Sequence, residues 1–328
     1  MPDQLVYAME VFLNGLMAGV LYALVALGFV LIYKASGIFN YAQGVMALFA
    51  AMTLVGIMDG QIPFSHLINA ILGTDLHHFG WHLPAFLGIL LTMAVMVVLA
   101  WLVQRIIFKH LVGQEPIILF MATIGLAYFM EGMGDMMWGA DIKKLDVGLP
   151  QGINIWIDET TFNIFDYGFF IDNLDIVATV IAIILVGVLV AFSQYTKEGR
   201  AMRAVADDHQ AALSVGVSLN FIWIMVWSLA GFVALVAGVM WGAKSGVQFS
   251  LSLIALKALP VLMLGGFTSI PGAIIGGLII GVGEKLFEFT VGPLIGGATE
   301  NWFAYVLALL FLVFRPQGLF GEKIIERV

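Results

Sequence analysis

The 328-residue chain contains no cysteine, which removes disulfide staples and thiolate metal sites from consideration. Charge is also scarce: Asp, Glu, Lys and Arg make up 11% of the residues, against about 25% in a soluble domain. Basic residues are the scarcer sign, with 14 Lys and Arg facing 22 Asp and Glu, so the chain offers no basic footprint for nucleic acid. No Gly-Lys dipeptide occurs anywhere, which excludes a phosphate-cradling loop of the G-x-x-x-x-G-K-[ST] type. No Ser/His/Asp set has the context of a nucleophile elbow. The first apolar run is preceded by Asp3 and Glu10 and by no positive region, so a retained first helix is expected rather than a cleaved signal peptide.

What is present is apolar. Hydrophobic residues make up 61% of the chain and the mean hydropathy is +1.02. Such a composition cannot clothe a globular surface in water, so lipid is the solvent. A spanning helix needs about 20 mainly apolar residues. Nine such segments are expected, at 11–33, 37–58, 84–104, 116–134, 175–194, 217–241, 250–266, 270–290 and 299–315. The seventh is short and holds Lys257 and Pro260, which marks it as a broken or re-entrant helix, leaving eight or nine spans. The expected fold is an all-α, polytopic transmembrane bundle, a single domain over 1–328.

Orientation follows from the retention of Lys and Arg on the cytoplasmic side. Lys34, Arg105, Lys109, Lys197, Arg200, Arg203, Arg315, Lys323 and Arg327 fall on one face. Only Lys143, Lys144, Lys244 and Lys285 fall on the other, among Asp59, Asp75, Asp141, Asp146, Asp158, Glu159, Asp166, Asp172 and Asp175. The N-terminus is therefore expected outside and the C-terminus inside. Of the two long external segments, 59–83 mixes polar and apolar residues as a short interfacial helix would. The other, 135–174, alternates with a period near two in GINIWIDETTFNIF, as a small hairpin or cap would.

Candidate functional residues fall into four groups. Glycines four apart inside apolar helices (Gly15 and Gly19, Gly238 and Gly242, Gly272 and Gly276, Gly277 and Gly281) form flat stripes for close helix packing, within the chain or at a subunit interface. The cytoplasmic stretch 196–216, TKEGRAMRAVADDHQAALSVG, is a polar, helix-favouring interruption between two spans, suited to docking a partner or to a solvated loop helix. Polar groups inside spans are expensive unless they face a partner or a cavity. They include Asn14, Tyr22, Thr53, Thr123, Tyr128 and Ser228, and, as candidates for a translocation path, Asn40, Tyr41, Gln43, Glu131 and Lys257. His66, His77, His78 and His82 cluster in 59–83, but no carboxylate completes a ligand set, so they read as loop histidines and no metal site is expected.

Five stretches carry a resemblance. QAALSVG at 210–216 has the Ala-Ala, three-residue gap and Gly spacing of the EAA-type loop of ABC-importer permeases, with Gln210 in place of the glutamate. The others are GVLYALVALGFVLIYKASGIFNYAQG at 19–44, EGRAMRAVADD at 198–208, LGGFTSIPGAIIGGLIIG at 264–281 and FRPQGLFG at 314–321. Together, and in this order, they resemble the branched-chain amino acid ABC transporter permease family of the LivH type; Val45 stands where that family usually has an acid.

The resemblance implies a permease that is not itself an enzyme, works by alternating access, and carries branched-chain or related amino acids inward. Urea, short amides and aromatic or other carboxylates are rival substrates. It further implies a homologous second permease subunit (heterodimer or homodimer), two cytoplasmic ATPase subunits holding ATP and Mg, and an external solute-binding protein. No cofactor is expected on this chain. Its coupling helix would be 196–216, with Gly199, Arg200, Arg203, Asp207, Asp208, Ala211, Ala212 and Gly216; Arg200 and Arg203 suit either pairing with ATPase acids or marking the inside. Another class, an ion-coupled secondary transporter, would use Glu131 or Glu284 as intramembrane carboxylates. An integral-membrane enzyme finds no nucleophile or metal set.

Overall fold

A computed structural model describes residues 2–73, 77–111, 113–155, 170–207 and 209–321. Asp75, Asp158, Glu159, Asp166, Asp208, Lys323 and Arg327, named above, lie outside the described residues, as does the side chain of His66. The helices are α1 (Pro2–Ser36), α2 (Gln43–Met58), α3 (Ser65–Leu72), α4 (Ala85–Ile106), α5 (Pro116–Trp138), α6 (Asn173–Tyr195), α7 (Lys197–Asp207) and α8 (His209–Ser214). They continue with α9 (Leu219–Ser245), α10 (Ile254–Gly265), α11 (Ile270–Thr290), α12 (Gly292–Ile295) and α13 (Phe303–Phe314). Between α5 and α6, β1 (Ile153–Ile155), at the start of the stretch that alternates with period two, pairs antiparallel with β2 (Phe170–Asp172); residues 156–165 of that stretch lie outside the described residues. Six helices, α1, α4, α5, α6, α9 and α11, are long and apolar enough to cross a membrane; α2, α10 and α13 are apolar but shorter. The segment expected to begin at residue 37 becomes helical only at Gln43, because Gly37 caps α1 in a left-handed conformation (φ +68°).

By contacts the described chain forms two compact units. The second holds Leu31–Gly148 and Val190–Ala255, with α2 at its centre. Every residue from Gln43 to Gly56 is buried, as expected of a helix apolar on all sides. α2 is wrapped by α4, α5 and α9. Its glycines permit that enclosure: a Cβ on Gly44 would stand 2.6 Å from the Ala255 Cβ, and one on Gly56 would enter the Trp138 ring. Trp138 also donates to the Thr53 hydroxyl at 3.2 Å. Below it, Lys143 donates to Gln61 Oε1 and to the Trp138 carbonyl, both at 2.6 Å. Burial holds that ammonium below the usual lysine range, with Asp59 and Asp141 pulling it back up. α3 is the short helix expected in 59–83, and it exposes Leu67, Ile71 and Leu72 as an interfacial helix does.

The first unit gathers α1 up to Val30, the β-ribbon, most of α6, and the chain from Leu256 onward. Here α11 uses two glycine faces. A Cβ on Gly277 would lie 2.6 Å from the Gly19 carbonyl oxygen, and one on Gly19 would lie 2.6 Å from the Gly277 oxygen, so α1 and α11 touch backbone to backbone. On the other face, a Cβ on Gly276 would lie 2.6 Å from the Val261 oxygen of α10, while Gly272 meets Gly265. In α10, Pro260 has no N–H for the Leu256 carbonyl four residues back. The Tyr305 hydroxyl of α13 donates to that oxygen at 2.8 Å. At its other end the last carbonyls of α10 accept from the folded-back C-terminal segment, Leu319 N to Leu264 O at 2.8 Å and Phe320 N to Gly265 O at 3.1 Å. Ser269 then N-caps α11 through Gly272 N at 3.1 Å, with Pro271 in the first turn.

Gly276→Leu and Gly19→Leu are therefore expected to lower the thermal stability of the detergent-solubilised protein by overpacking, about 1–3 kcal/mol each. Gly125→Leu serves as the comparison, since a Cβ there meets nothing within 4 Å, and it should leave the melting temperature nearly unchanged.

Candidate functional site

The polar connector is built onto the end of α6 rather than suspended from it. α7 is strongly amphipathic, burying Gly199, Met202 and Val205 at three-residue spacing. Thr196 starts the helix: its hydroxyl accepts from Gly199 N at 2.9 Å and donates to the Phe192 carbonyl at 2.6 Å. Gly199 sits so close to α6 that a Cβ would lie 2.6 Å from the Ser193 oxygen. Arg203, half-buried, donates to that same Ser193 carbonyl, and Arg200, exposed, donates to the Tyr195 carbonyl at 3.3 Å. Both arginines thus lie across the C-terminal carbonyls of α6, where the helix leaves acceptors unpaired and its dipole is negative. Pairing within the chain is the use of these two side chains that sequence reasoning did not weigh.

α8 follows α7, and its end is a Schellman motif. Gly216 takes φ +89°, its N–H donates to Leu213 O at 3.0 Å and Val217 N donates to Ala212 O at 3.0 Å. Ala212 is buried; Asp207 and Ala211 are exposed. α7 also packs against α9, so the connector touches α9 as well as the α6 end from which it springs. On a stretch otherwise rich in charge, Tyr195, Leu213 and Val215 are exposed at 78%, 52% and 85%. Exposed apolar side chains on a polar segment are candidates for contact with a partner.

The intramembrane candidates divide between the two units. In the second unit Asn40 and Gln43 are both buried and bonded: Asn40 Nδ2 donates to Gln43 Oε1 at 3.3 Å, Ala42 N donates to Asn40 Oδ1 at 3.1 Å, and Gln43 Nε2 donates to the Ala230 carbonyl of α9 at 3.3 Å. The Thr123 hydroxyl of α5 accepts from Tyr41 N at 3.1 Å. The loop before α2 is thereby tied to α5 and α9, and the exposed Tyr41 ring packs edge-on against Phe120, 6.3 Å between centroids. Glu131 lies half-buried on α5, one turn before Asp135.

In the first unit Lys257 is paired with the buried Glu284 of α11 and donates to the Glu300 carbonyl at 3.1 Å. The Tyr22 hydroxyl donates to Glu284 at 3.4 Å, and Lys285 binds Glu300 at 2.8 Å. An ion pair of this kind joins α10 to α11, the two elements that Gly276 brings close. In the sequence Lys257 and Glu284 stand as separate polar groups; no sequence signal connects residues 27 apart on different helices. Among the described residues no group of three or more His, Asp or Glu is placed to hold a metal ion. His77 instead approaches Asn69 at 3.5 Å and His78 the Asp59 carbonyl at 3.4 Å.

Helices of this length and apolarity define a polytopic helical membrane protein in which two long spans are joined by one docked polar connector. Residues 11–315 match the family model of the branched-chain amino acid transport system permease component, and the chain belongs to that family. It is similar to the high-affinity branched-chain amino acid transport system permease protein LivH of Escherichia coli, 26% identical over 331 residues and covering 100% of both chains. BraD of Pseudomonas aeruginosa, a permease of the same description, is 27% identical over 337 residues, again covering 100% of both. A probable LivH of Methanocaldococcus jannaschii is 25% identical over 312 residues, 92% of this chain and 89% of that one. The chain is an amino-acid transport permease of the inner membrane that crosses it several times.

Because Arg203 and Gly199 hold α7 against α6, Arg203→Ala and Gly199→Val should each raise amide hydrogen exchange across 197–207 at least tenfold, the equivalent of about 1.4 kcal/mol of lost protection. Arg200→Ala, removing one longer bond from an exposed side chain, should change exchange much less.

Proposed function

We propose that the chain is the permease subunit of an ABC importer that moves branched-chain or related amino acids inward, and that 196–216 is the element through which separate ATPase subunits move it. The observation that carries this reading is the seating of α7: a helix fastened to α6 by Thr196, Gly199 and Arg203, and packed on α9, moves with the spans it joins. Force applied to the exposed patch of Tyr195, Leu213 and Val215 then reaches the membrane as rotation or translation of whole helices, since packed helices shift as rigid bodies. Gly199, Arg203, Ala212 and Gly216 hold the lever's shape, while the exposed Arg200, Asp207 and Ala211 belong to the side offered to the ATPase.

The rest of the reading follows from charge and depth. The N-terminus lies outside and the C-terminus in the cytoplasm, by the Lys and Arg bias. α2, α10 and α13 complete nine crossings, with α10 the broken one, its lost hydrogen bond made good by Tyr305. Within the second unit the path for solute involves Tyr41, whose ring is exposed beside the bonded Asn40 and Gln43, together with Glu131. A homologous second permease, two ATPases carrying ATP and Mg, and an external solute-binding protein complete the transporter; the relatives' name, a permease protein of a transport system, supports the chain's being one component of a larger assembly.

Two measurements test this. Affinity purification of the chain, expressed with its genomic neighbours, should bring down two ATPase copies per permease pair. Vesicles carrying the whole assembly should accumulate leucine only with ATP inside the ATPase compartment. Arg203→Ala should cut uptake at least tenfold while ATP hydrolysis persists; uptake by the chain alone, driven by an ion gradient, would overturn the proposal.

A further inference from the structure

A cavity of about 120 Å³ lies in the second unit between the last turns of α4, the 3-10 turn Phe108–His110 and the first turns of α9. Trp101, Gln104, Arg105, Lys109, Asn220 and Ile224 line it. The connector, the polar loop before α2 and the Lys257 pair do not contribute to it. A single water needs about 10–15 Å³, so the space suits a polyatomic group.

Three features specify the chemistry of an occupant. Gln104 is 1% exposed, yet neither its Nε2 nor its Oε1 has a hydrogen-bond partner. A buried amide without hydrogen bonds loses its hydration with nothing in return, and such groups in native proteins call for a missing partner. Next to it, Arg105 and Lys109 are exposed and four apart, and the Arg105 guanidinium lies over the Trp101 ring at 5.3 Å. The lining therefore combines two cations with two side-chain amides and contains no carboxylate, which selects an anion with several acceptor oxygens. Finally, the lining residue Trp101 is exposed, and Leu102, Ile106 and Phe221, the chain neighbours of the lining residues Trp101, Arg105 and Asn220, are exposed and apolar; α4 is a span largely unburied within the chain. The occupant has an anionic head and an apolar body.

We infer that this cavity binds the phosphate of an anionic membrane phospholipid, with the acyl chains lying along Ile106 and Phe221. Arg105 and Lys109 neutralise the phosphate, Gln104 Nε2 donates to one of its oxygens, and Trp101 sits at the headgroup level where aromatic rings of membrane proteins gather. The lipid bridges α4 and α9, which pack against each other, and α9 also packs against α7. The inference does not rest on the transport reading: it needs only the cavity and the membrane.

The test uses the full-length protein, delipidated in detergent, with phosphatidylglycerol, phosphatidylcholine or inorganic phosphate added, followed by native mass spectrometry and thermal unfolding. Phosphatidylglycerol should remain bound and raise the melting temperature, while phosphatidylcholine and inorganic phosphate should not. Arg105→Ala and Lys109→Ala, both at exposed positions that leave the fold intact, should each weaken phosphatidylglycerol binding at least tenfold. Gln104→Leu should also weaken it while raising the melting temperature of the lipid-free protein, because it removes the unpaired amide. Equal protection by phosphatidylcholine, equal protection by inorganic phosphate alone, or variants that hold phosphatidylglycerol like the parent would each overturn the assignment.

Discussion

Two backbones meet with nothing between them where Gly15 and Gly19 of α1 face Gly277 and Gly281 of α11. Lipid supplies no hydrophobic drive for helices to associate, so contact this close is what dispersion and weak polar interactions require to hold them. The same solution recurs in the other unit, where Gly44 admits Ser252 and Ala255 and Gly238 admits Ala47. It lets α2, a helix with no polar side, vanish completely behind α4, α5 and α9. With the glycine faces turned inward, the large residues are left outside: Phe86, Tyr128, Phe129, Ile183 and Val313 are all exposed, as a surface meeting hydrocarbon should be.

Once helices are this close, a polar group among them is costly to leave without a partner. Pro260 shows the rule at work, since the carbonyl it strands on Leu256 is met by a tyrosine hydroxyl from α13. Lys257 and Glu284 neutralise one another, and Asn40 and Gln43 exchange a hydrogen bond and anchor to α9. At the membrane edge the same need shapes the connector. The orphan carbonyls at the end of α6 are met by Thr196, Arg203 and Arg200, so the satisfaction of a helix terminus and the fastening of α7 are one set of bonds. A segment proposed to receive force is thus stiffened by the chemistry that ends the helix before it.

Much of this was legible without coordinates. Each apolar run coincides with a helix among the described residues, six of them long and apolar enough to cross a membrane and three shorter, because hydropathy over about 20 residues reports the solvent directly. The Gly, Ser and Pro of GGFTSIPG have the chemistry of a turn and of a capped start to α11, and Gly216 that of a left-handed helix end, so local backbone chemistry makes both readable. What stayed hidden depends on distance in sequence. Arg200 and Arg203 read as charges for a partner or as topology markers, and nothing in their spacing reveals acceptors at residues 193 and 195 of the preceding span. Tyr305 carries no mark of its tie to Leu256, 49 residues away. Asn40, Gln43 and Lys257 were visible as polar groups out of place, but their partners Ala230 and Glu284 were not.

The lever itself is open to a direct measurement, which the absence of native cysteine makes clean. Spin labels on Gln194→Cys, near the end of α6, and Asp207→Cys, at the end of α7, both exposed positions, report the distance across the junction. In the permease assembled with its ATPases, the account predicts one narrow distance distribution that is the same before and after ATP binds. A distribution that shifts or splits on ATP binding would make the junction a hinge, and the connector could not carry motion into the membrane as described.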